Sequence, residues 1–207
     1  MEKKIKIYRA KVNEDSINRL SLVYGAANKQ KLVYLNEENK LNIQVRLQDE
    51  EQRKIVCPIL IPDFPIYRQE LSDEHTDGYI EFTKEDVLKA SKELFKNSKN
   101  HNFNIEHSFN TYDIFLSESW IVDNVEFDKS KFYGFEVPIG TWMGVFDLNS
   151  DELIKAVKEG SLNGISPEIF AELIFETELK EETNNDLDEL LLAMKNIFEN
   201  KLNNIRK

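Results

Sequence analysis

Two residues of this chain combine a reactive side chain with a setting that points toward solvent. His107 closes the run Asn104-Ile-Glu-His107, just ahead of the turn-like stretch Ser108-Phe109-Asn110-Thr111. Ser166 follows Gly160-Ser-Leu-Asn-Gly-Ile, a glycine-bearing turn, and leads into Pro167 and Glu168. A serine hydroxyl attacks a carbonyl at neutral pH only when a base such as imidazole takes its proton, and the pair need meet only in space. A histidine followed by a serine, with strand-like runs between them, is compatible with a serine hydrolase.

Each residue also has a plainer reading. Strand alternation puts Ile105 and His107 on one face and Glu106 on the other, so His107 could be a half-buried histidine bonded to a carbonyl. Ser166 does not sit in a GxSxG elbow and could simply end a turn. Glu118 interrupts the apolar run Leu116-Ser-Glu-Ser-Trp-Ile-Val122 and shares a face with Leu116 and Trp120. A carboxylate there is either solvated or paired, and one thing it could pair with is an imidazole. His75 and His101 lie in polar, loop-like stretches. No HxxxH, HExxH or CxxC spacing occurs, so no metal site and no cofactor are expected.

Composition narrows the function. The 207 residues carry 27 Lys and Arg against 38 Asp and Glu, a net charge of −11. That balance argues against nucleic acid or an anionic membrane as the main partner. Cys57 is the single cysteine, flanked by Ile55, Val56, Pro58 and Ile59, and reads as a buried strand thiol rather than a nucleophile. No signal-like or membrane-length apolar run occurs, so the expected compartment is cytosolic.

The elements that must position these side chains are mainly strands. Residues 4–8, 20–24, 31–35, 41–47 and 54–61 read as strands, the fourth alternating cleanly and the fifth continuously apolar. Tyr79 to Phe82 gives another strand, and Thr83 caps a helix with Asp86 three residues on. Its expected inner stripe is Val87, Leu88, Ser91, Leu94 and Phe95. Strands return at 103–106, 114–122 and 140–148. Ser150-Asp-Glu-Leu153 opens a second helix, which closes at Gly160 with a left-handed cap. Residues 165–175 return as a strand, with Pro167 at its start or on a sheet edge. After a polar stretch, Leu187, Leu190, Leu191, Met194, Ile197, Phe198 and Leu202 recur at helical spacing. The fold class is therefore α+β, mainly β, a barrel or curled sheet carrying peripheral helices, with a helix appended.

Several segments, in order, resemble the XkdF-type phage serine proteases, relatives of the prohead (capsid-maturation) proteases. They are Ile17-Asn-Arg-Leu-Ser-Leu-Val23 with Ala26-Ala27, Pro58-Ile-Leu-Ile-Pro-Asp63 with Ile66-Tyr67-Arg68, and Tyr79-Ile-Glu-Phe-Thr83. Asn104-Ile-Glu-His107, Glu118-Ser-Trp-Ile-Val122 and Pro138-Ile-Gly-Thr-Trp-Met143 follow, and the series ends with the segment from Val157-Lys-Glu-Gly160 to Ser166-Pro-Glu168. Ile165 stands where an aromatic is frequent in that family, and Ile169 where a glycine is.

The resemblance implies a β-barrel with peripheral helices, shared with the herpesvirus capsid-maturation protease. It implies an endopeptidase that cleaves scaffold and major capsid protein segments inside an immature procapsid in the host cytoplasm. Ser166 matches the nucleophile and His107 the general base. For the third, orienting residue an acid is required, with Glu118 the choice and Glu172 the reserve. On this basis residues 1–175 form the protease-like domain, with strands over 1–61 and the catalytic part over about 79–175. Residues 176–186 are a polar linker, and 187–207 an amphipathic helix that packs on scaffold, on another protease copy, or back on the barrel. Two other readings stay open: a catalytically inactive procapsid component of the same fold, and a hydrolase of a small ester.

Overall fold

In a computed structural model of the chain, residues 4–23, 46–49, 53–68, 71 and 77–180 are described. The elements, in order, are β1 (Lys4–Lys11), β2 (Ile17–Val23), β3 (Arg46–Asp49), β4 (Lys54–Leu60), β5 (Ile66–Arg68), β6 (Gly78–Phe82) and α1 (Lys84–Lys96). They continue with β7 (Phe103–Ile105), β8 (Ile114–Ile121), α2 (Lys129–Phe132), β9 (Trp142–Leu148), α3 (Asp151–Lys158), β10 (Gly164–Ile169) and β11 (Glu172–Lys180). The strands form three sheets, in the orders β11-β1-β6-β5, β10-β2-β7 and β3-β4-β9-β8. The mainly β class with peripheral helices is as expected. The barrel is not: none of the three sheets closes on itself among the described residues.

A corner in the chain explains the split. β1 pairs antiparallel with β11 and parallel with β6, while β2 pairs antiparallel with β10 and parallel with β7. The two sheets are thus one three-strand pattern broken at residues 12–16 and again at 170–171. The single strand expected over 165–175 is divided at the same break. At the corner, backbone donors leave the ladder for helix α1: Val12 N–H goes to Asp86 Oδ1 (2.9 Å) and Asp15 N–H to Glu93 Oε2 (3.2 Å). Asp15 adopts a left-handed φ of 58°, and Ser16 O accepts from Phe170 N–H at 2.8 Å. Pairing cannot run straight through such a kink, so the sheet turns instead of closing.

Helix α1 starts as its sequence suggests. The Thr83 hydroxyl accepts from Asp86 N–H (3.1 Å), and Asp86 returns the bond as acceptor (2.5 Å). Its buried stripe is Val87, Ala90, Ser91, Glu93 and Leu94. Leu88 and Phe95, expected inside, are 39% and 44% exposed, because they lie about 100° round the helix from Val87 and Leu94.

The third sheet is covered on both faces. Ile55, Cys57 and Ile59 of β4 join the main core with Trp142, Phe146, Phe103, Leu20 and Leu22, while Val56 joins Val122, Phe135, Met143 and Val145. That two-sided burial accounts for the unbroken apolar run of β4, Cys57 included. Helix α3 buries Leu153 and Val157 and ends at Gly160, whose φ of 73° is the expected left-handed cap. β11 pairs with β1 as far as Lys180. The expected third and most of the fourth strand, part of the linker and the C-terminal helix lie outside the described residues. No described helix is long and apolar enough to cross a membrane.

Candidate active site

The middle sheet presents one face to the core and one to the site. Leu20 and Leu22 of β2 are fully buried in the main core. Alternation sends Arg19 and Ser21 to the opposite face. Ser21 pairs across the ladder with Ser166 on one side and Asn104 on the other, and Arg19 pairs with Glu168. Directly paired residues share a face, so Ser166, Glu168, Ser21, Arg19 and Asn104 stand together. Pro167, between Ser166 and Glu168, occurs here because β10 is an edge strand, where a missing N–H need not break the sheet.

His107 reaches this face by a route the sequence hides. β7 ends at Ile105, and Glu106 and His107 both take left-handed backbone conformations, φ 51° and 54°. The expected alternation would have placed His107 with Ile105, which is buried. The double left-handed turn swings the imidazole over the Asn104 face instead. Such residues cost about 1 kcal/mol or more each, so the surroundings must hold them. They do: Glu106 N–H bonds Leu22 O (3.1 Å), Ser108 N–H bonds Ile105 O (3.0 Å), and Asn104 Nδ2 bonds Ser108 O (2.7 Å).

Glu168 is the centre of the resulting network. Its Oε1 accepts from Asn104 Nδ2 at 2.9 Å and lies 3.2 Å from both His107 Nδ1 and Ser21 Oγ. Its Oε2 is 3.2 Å from Arg19 Nε, an ion pair without hydrogen-bond alignment, and 3.4 Å from Asn18 Nδ2. Burial pushes the Glu168 carboxyl up. The hydrogen bonds from Asn104 and His107 and the Arg19 charge outweigh that, so the group is held below the usual carboxylate range. Glu168 is thus an anion seated against the imidazole, and the carboxylate can only accept from Nδ1. With Nδ1 carrying the proton, Nε2 keeps its lone pair, the state a general base needs.

Two serines compete for the nucleophile's role. Ser21 Oγ lies 3.0 Å from His107 Nδ1, but Ser21 is fully buried and also lies 2.5 Å from Asn104 Oδ1. A substrate carbonyl cannot reach it. Ser166 is half-buried, directly opposite Ser21, and its hydroxyl has no hydrogen-bond partner among the described residues. Its hydroxyl is therefore the available one.

The other sequence candidates lie elsewhere. Glu118 is on β8 in the third sheet, exposed and ion-paired with Lys129, whose ammonium sits 5.1 Å from the centre of the Trp120 ring. The carboxylate beside His107 is Glu168. Glu172 begins β11 beyond the corner, exposed and opposite Lys11. His101 is exposed in the turn region after α1, and His75 lies outside the described residues. The described residues contain no group of three or more His, Cys, Asp and Glu that could hold a metal. Cys57 is fully buried, and burial pushes its thiol far up, away from the reactive thiolate. Sequence reasoning did not single out Ser21, Arg19, Asn104 or Glu168, which form the network around His107. The signal for Glu168 was present, since a residue two along a strand from Ser166 must share its face.

A family model described as "Putative phage serine protease XkdF" matches residues 42–175. No curated protein and no solved structure matches the chain.

Proposed function

The chain belongs to the XkdF family of phage serine proteases, and from that premise we propose that it is a serine endopeptidase acting in prohead maturation. Its substrates are scaffold and major capsid protein segments, cut inside the procapsid in the host cytoplasm. The observation that carries the reading is the contact of His107 Nδ1 with the half-buried Glu168 carboxylate, two residues along the strand from Ser166.

In this mechanism Ser166 Oγ attacks the scissile carbonyl carbon and passes its proton to His107 Nε2. The imidazolium, facing the Glu168 anion, then gives that proton to the leaving amine as the C–N bond breaks. Water enters, loses a proton to the same Nε2 and adds to the acyl carbon; the C–Oγ bond then breaks as the imidazolium returns that proton to Ser166 Oγ, releasing the acid. Glu168 takes the orienting role once expected of Glu118. It fixes the ring and stabilises its positive charge without itself becoming protonated.

The test is co-expression with the neighbouring capsid and scaffold proteins, wild type beside Ser166→Ala, followed by intact-mass measurement. Defined truncations in the wild type alone are expected. Identical masses in both would refute the Ser166 mechanism and favour a structural procapsid component. Truncations that persist in Ser166→Ala and vanish in Ser21→Ala would transfer the nucleophile's role to Ser21.

A further inference from the structure

Arg19 joins the network around His107 through its charge alone. Its Nε lies 3.2 Å from Glu168 Oε2 but out of hydrogen-bond alignment, and its guanidinium makes no other polar contact among the described residues. A guanidinium carries five N–H donors in a rigid planar fork and no acceptor. Here Nε is sealed from solvent without a partner, while the terminal nitrogens are not sealed. A buried donor left unpaired is unfavourable, and native proteins seldom keep one without a reason. Resting on the endopeptidase reading above, we infer that Arg19 is a specificity residue. It takes the side-chain carboxylate of an Asp or Glu that lies near the scissile bond of the substrate.

Glu168 cannot fill the fork itself. Its Oε1 is held by Asn104 Nδ2 at 2.9 Å and lies 3.2 Å from both His107 Nδ1 and Ser21 Oγ, all on the side away from Arg19. Those contacts fix the plane of the carboxylate. It therefore meets Arg19 at one oxygen and off axis, not by the two parallel bonds that a carboxylate and a guanidinium make when both are free to turn.

The ladder gives the place of the fork relative to the nucleophile. Arg19 is opposite Glu168, and the next pair on the same face is Ser21 opposite Ser166. Arg19 is thus diagonal to Ser166, with side-chain roots roughly 7–8 Å apart. An extended peptide covers that span in about two residues. The network agrees, since the two oxygens of one carboxylate are all that separates Arg19 Nε from His107 Nδ1. A peptide with its scissile carbonyl at Ser166 therefore carries a nearby side chain to the guanidinium. The Arg19 side chain is 22% exposed, so the terminal nitrogens are reachable while their surroundings are partly dry, where a charged hydrogen bond is stronger.

Charge elsewhere makes the choice local. The chain has a net charge of −11, and its general field repels acidic peptides. A preference for an acid must then come from Arg19 itself and vanish with it.

The test uses overlapping peptides of the neighbouring scaffold and major capsid proteins, acetylated and amidated so that side chains supply every carboxylate. Full-length Ser166→Ala, which binds without cutting, is titrated with each peptide. Those that bind should share an Asp or Glu within two residues of the bond that the wild type cuts. Replacing that acid by its amide should weaken binding about tenfold or more, the size of one charge-assisted hydrogen bond. With Arg19→Gln added, the acidic peptide and its amide form should bind alike. That equality separates recognition from support of Glu168, because loss of a counter-ion alone would weaken both peptides and keep their ratio. An acid-to-amide change without effect on Ser166→Ala overturns the inference by itself, even if Arg19→Gln fails to fold. So does an acid preference that survives Arg19→Gln, or a set of peptides of which none binds. Acid-dependent binding that requires Arg19, with the bound peptides left uncut by the wild type, would sink the protease reading and leave the carboxylate site standing. Cutting with no acid preference would do the reverse.

Discussion

Replacing Glu168 by glutamine keeps the shape of the side chain and removes its charge. The carboxylate takes hydrogen bonds from Asn104 Nδ2 and His107 Nδ1 on one oxygen, and the Arg19 guanidinium lies against the other. Glutamine cannot serve both sides. With its oxygen toward Asn104 and His107, its NH₂ faces Arg19 and Asn18, donor against donor. Turned over, it offers N–H to Asn104 and to the imidazole. A hydrogen bond to a charged group contributes about 1.5–3 kcal/mol, and a side chain 21% exposed lies toward the lower end of that range. A loss of about 2 kcal/mol follows, which in a chain of this size lowers the melting temperature by roughly 4–8 °C.

The dependence on pH is the sharper part of this prediction. The folded-state pKa of Glu168 lies below its unfolded value of about 4.3, so its stabilisation is complete above that value and lost as pH falls through the folded one. Thermal melts of wild type and Glu168→Gln should differ near neutrality and converge in acid, where the wild-type side chain is also neutral. Proteolysis should fall by about 10⁴-fold at neutral pH through the disturbed tautomer. Equal melting near neutrality, or a gap unchanged in acid, would refute the network as described. Glu118→Gln is the contrast, an exposed ion pair expected to change stability by under about 1 kcal/mol and processing not at all.

Two further outcomes check the scaffold around the site. A methyl added at Gly144 would stand 2.6 Å from Leu116 Cδ1 and 2.8 Å from Ile59 Cδ1 in the packed third sheet, so Gly144→Ala should cost about 1–3 kcal/mol in denaturant unfolding. Cys57 should resist thiol reagents in the native protein and react in step with unfolding, and prompt labelling under native conditions would contradict its burial.

Much of the fold was legible because burial leaves a periodic trace. The Thr83 cap, the Gly160 terminus, the buried run of β4 and the edge position of Pro167 all follow from local chemistry. The corner at residues 12–16 was not legible, because it depends on Asp86 and Glu93 taking backbone donors from a segment far away in the chain. The same limit governed the site. His107 and Ser166 were singled out by side-chain type. Glu168 was overlooked in favour of Glu118, although strand alternation tied it to Ser166. Ser21 and Asn104 resemble ordinary polar residues until the parallel pairing of β2 with β7 sets them side by side. His107 kept its chemistry but not its expected face, since the left-handed pair Glu106–His107 has no glycine to announce it.

The site's parts come from three stretches of chain far apart in sequence: Ser21 and Glu168 meet across 147 positions, and Ser21 and Asn104 across 83. Contacts of that separation are slow to form, since each must close a long loop before any pairing repays the entropy. A ribosome-bound chain lacks β10, and with it both Ser166 and Glu168, until nearly the whole described fold has been synthesised. Partly made chains therefore hold His107 with neither Glu168 nor Ser166. On the proposed mechanism, competence to cut arrives in one late step, with the docking of a single edge strand, and a nascent chain cannot attack its neighbours before its own folding is done.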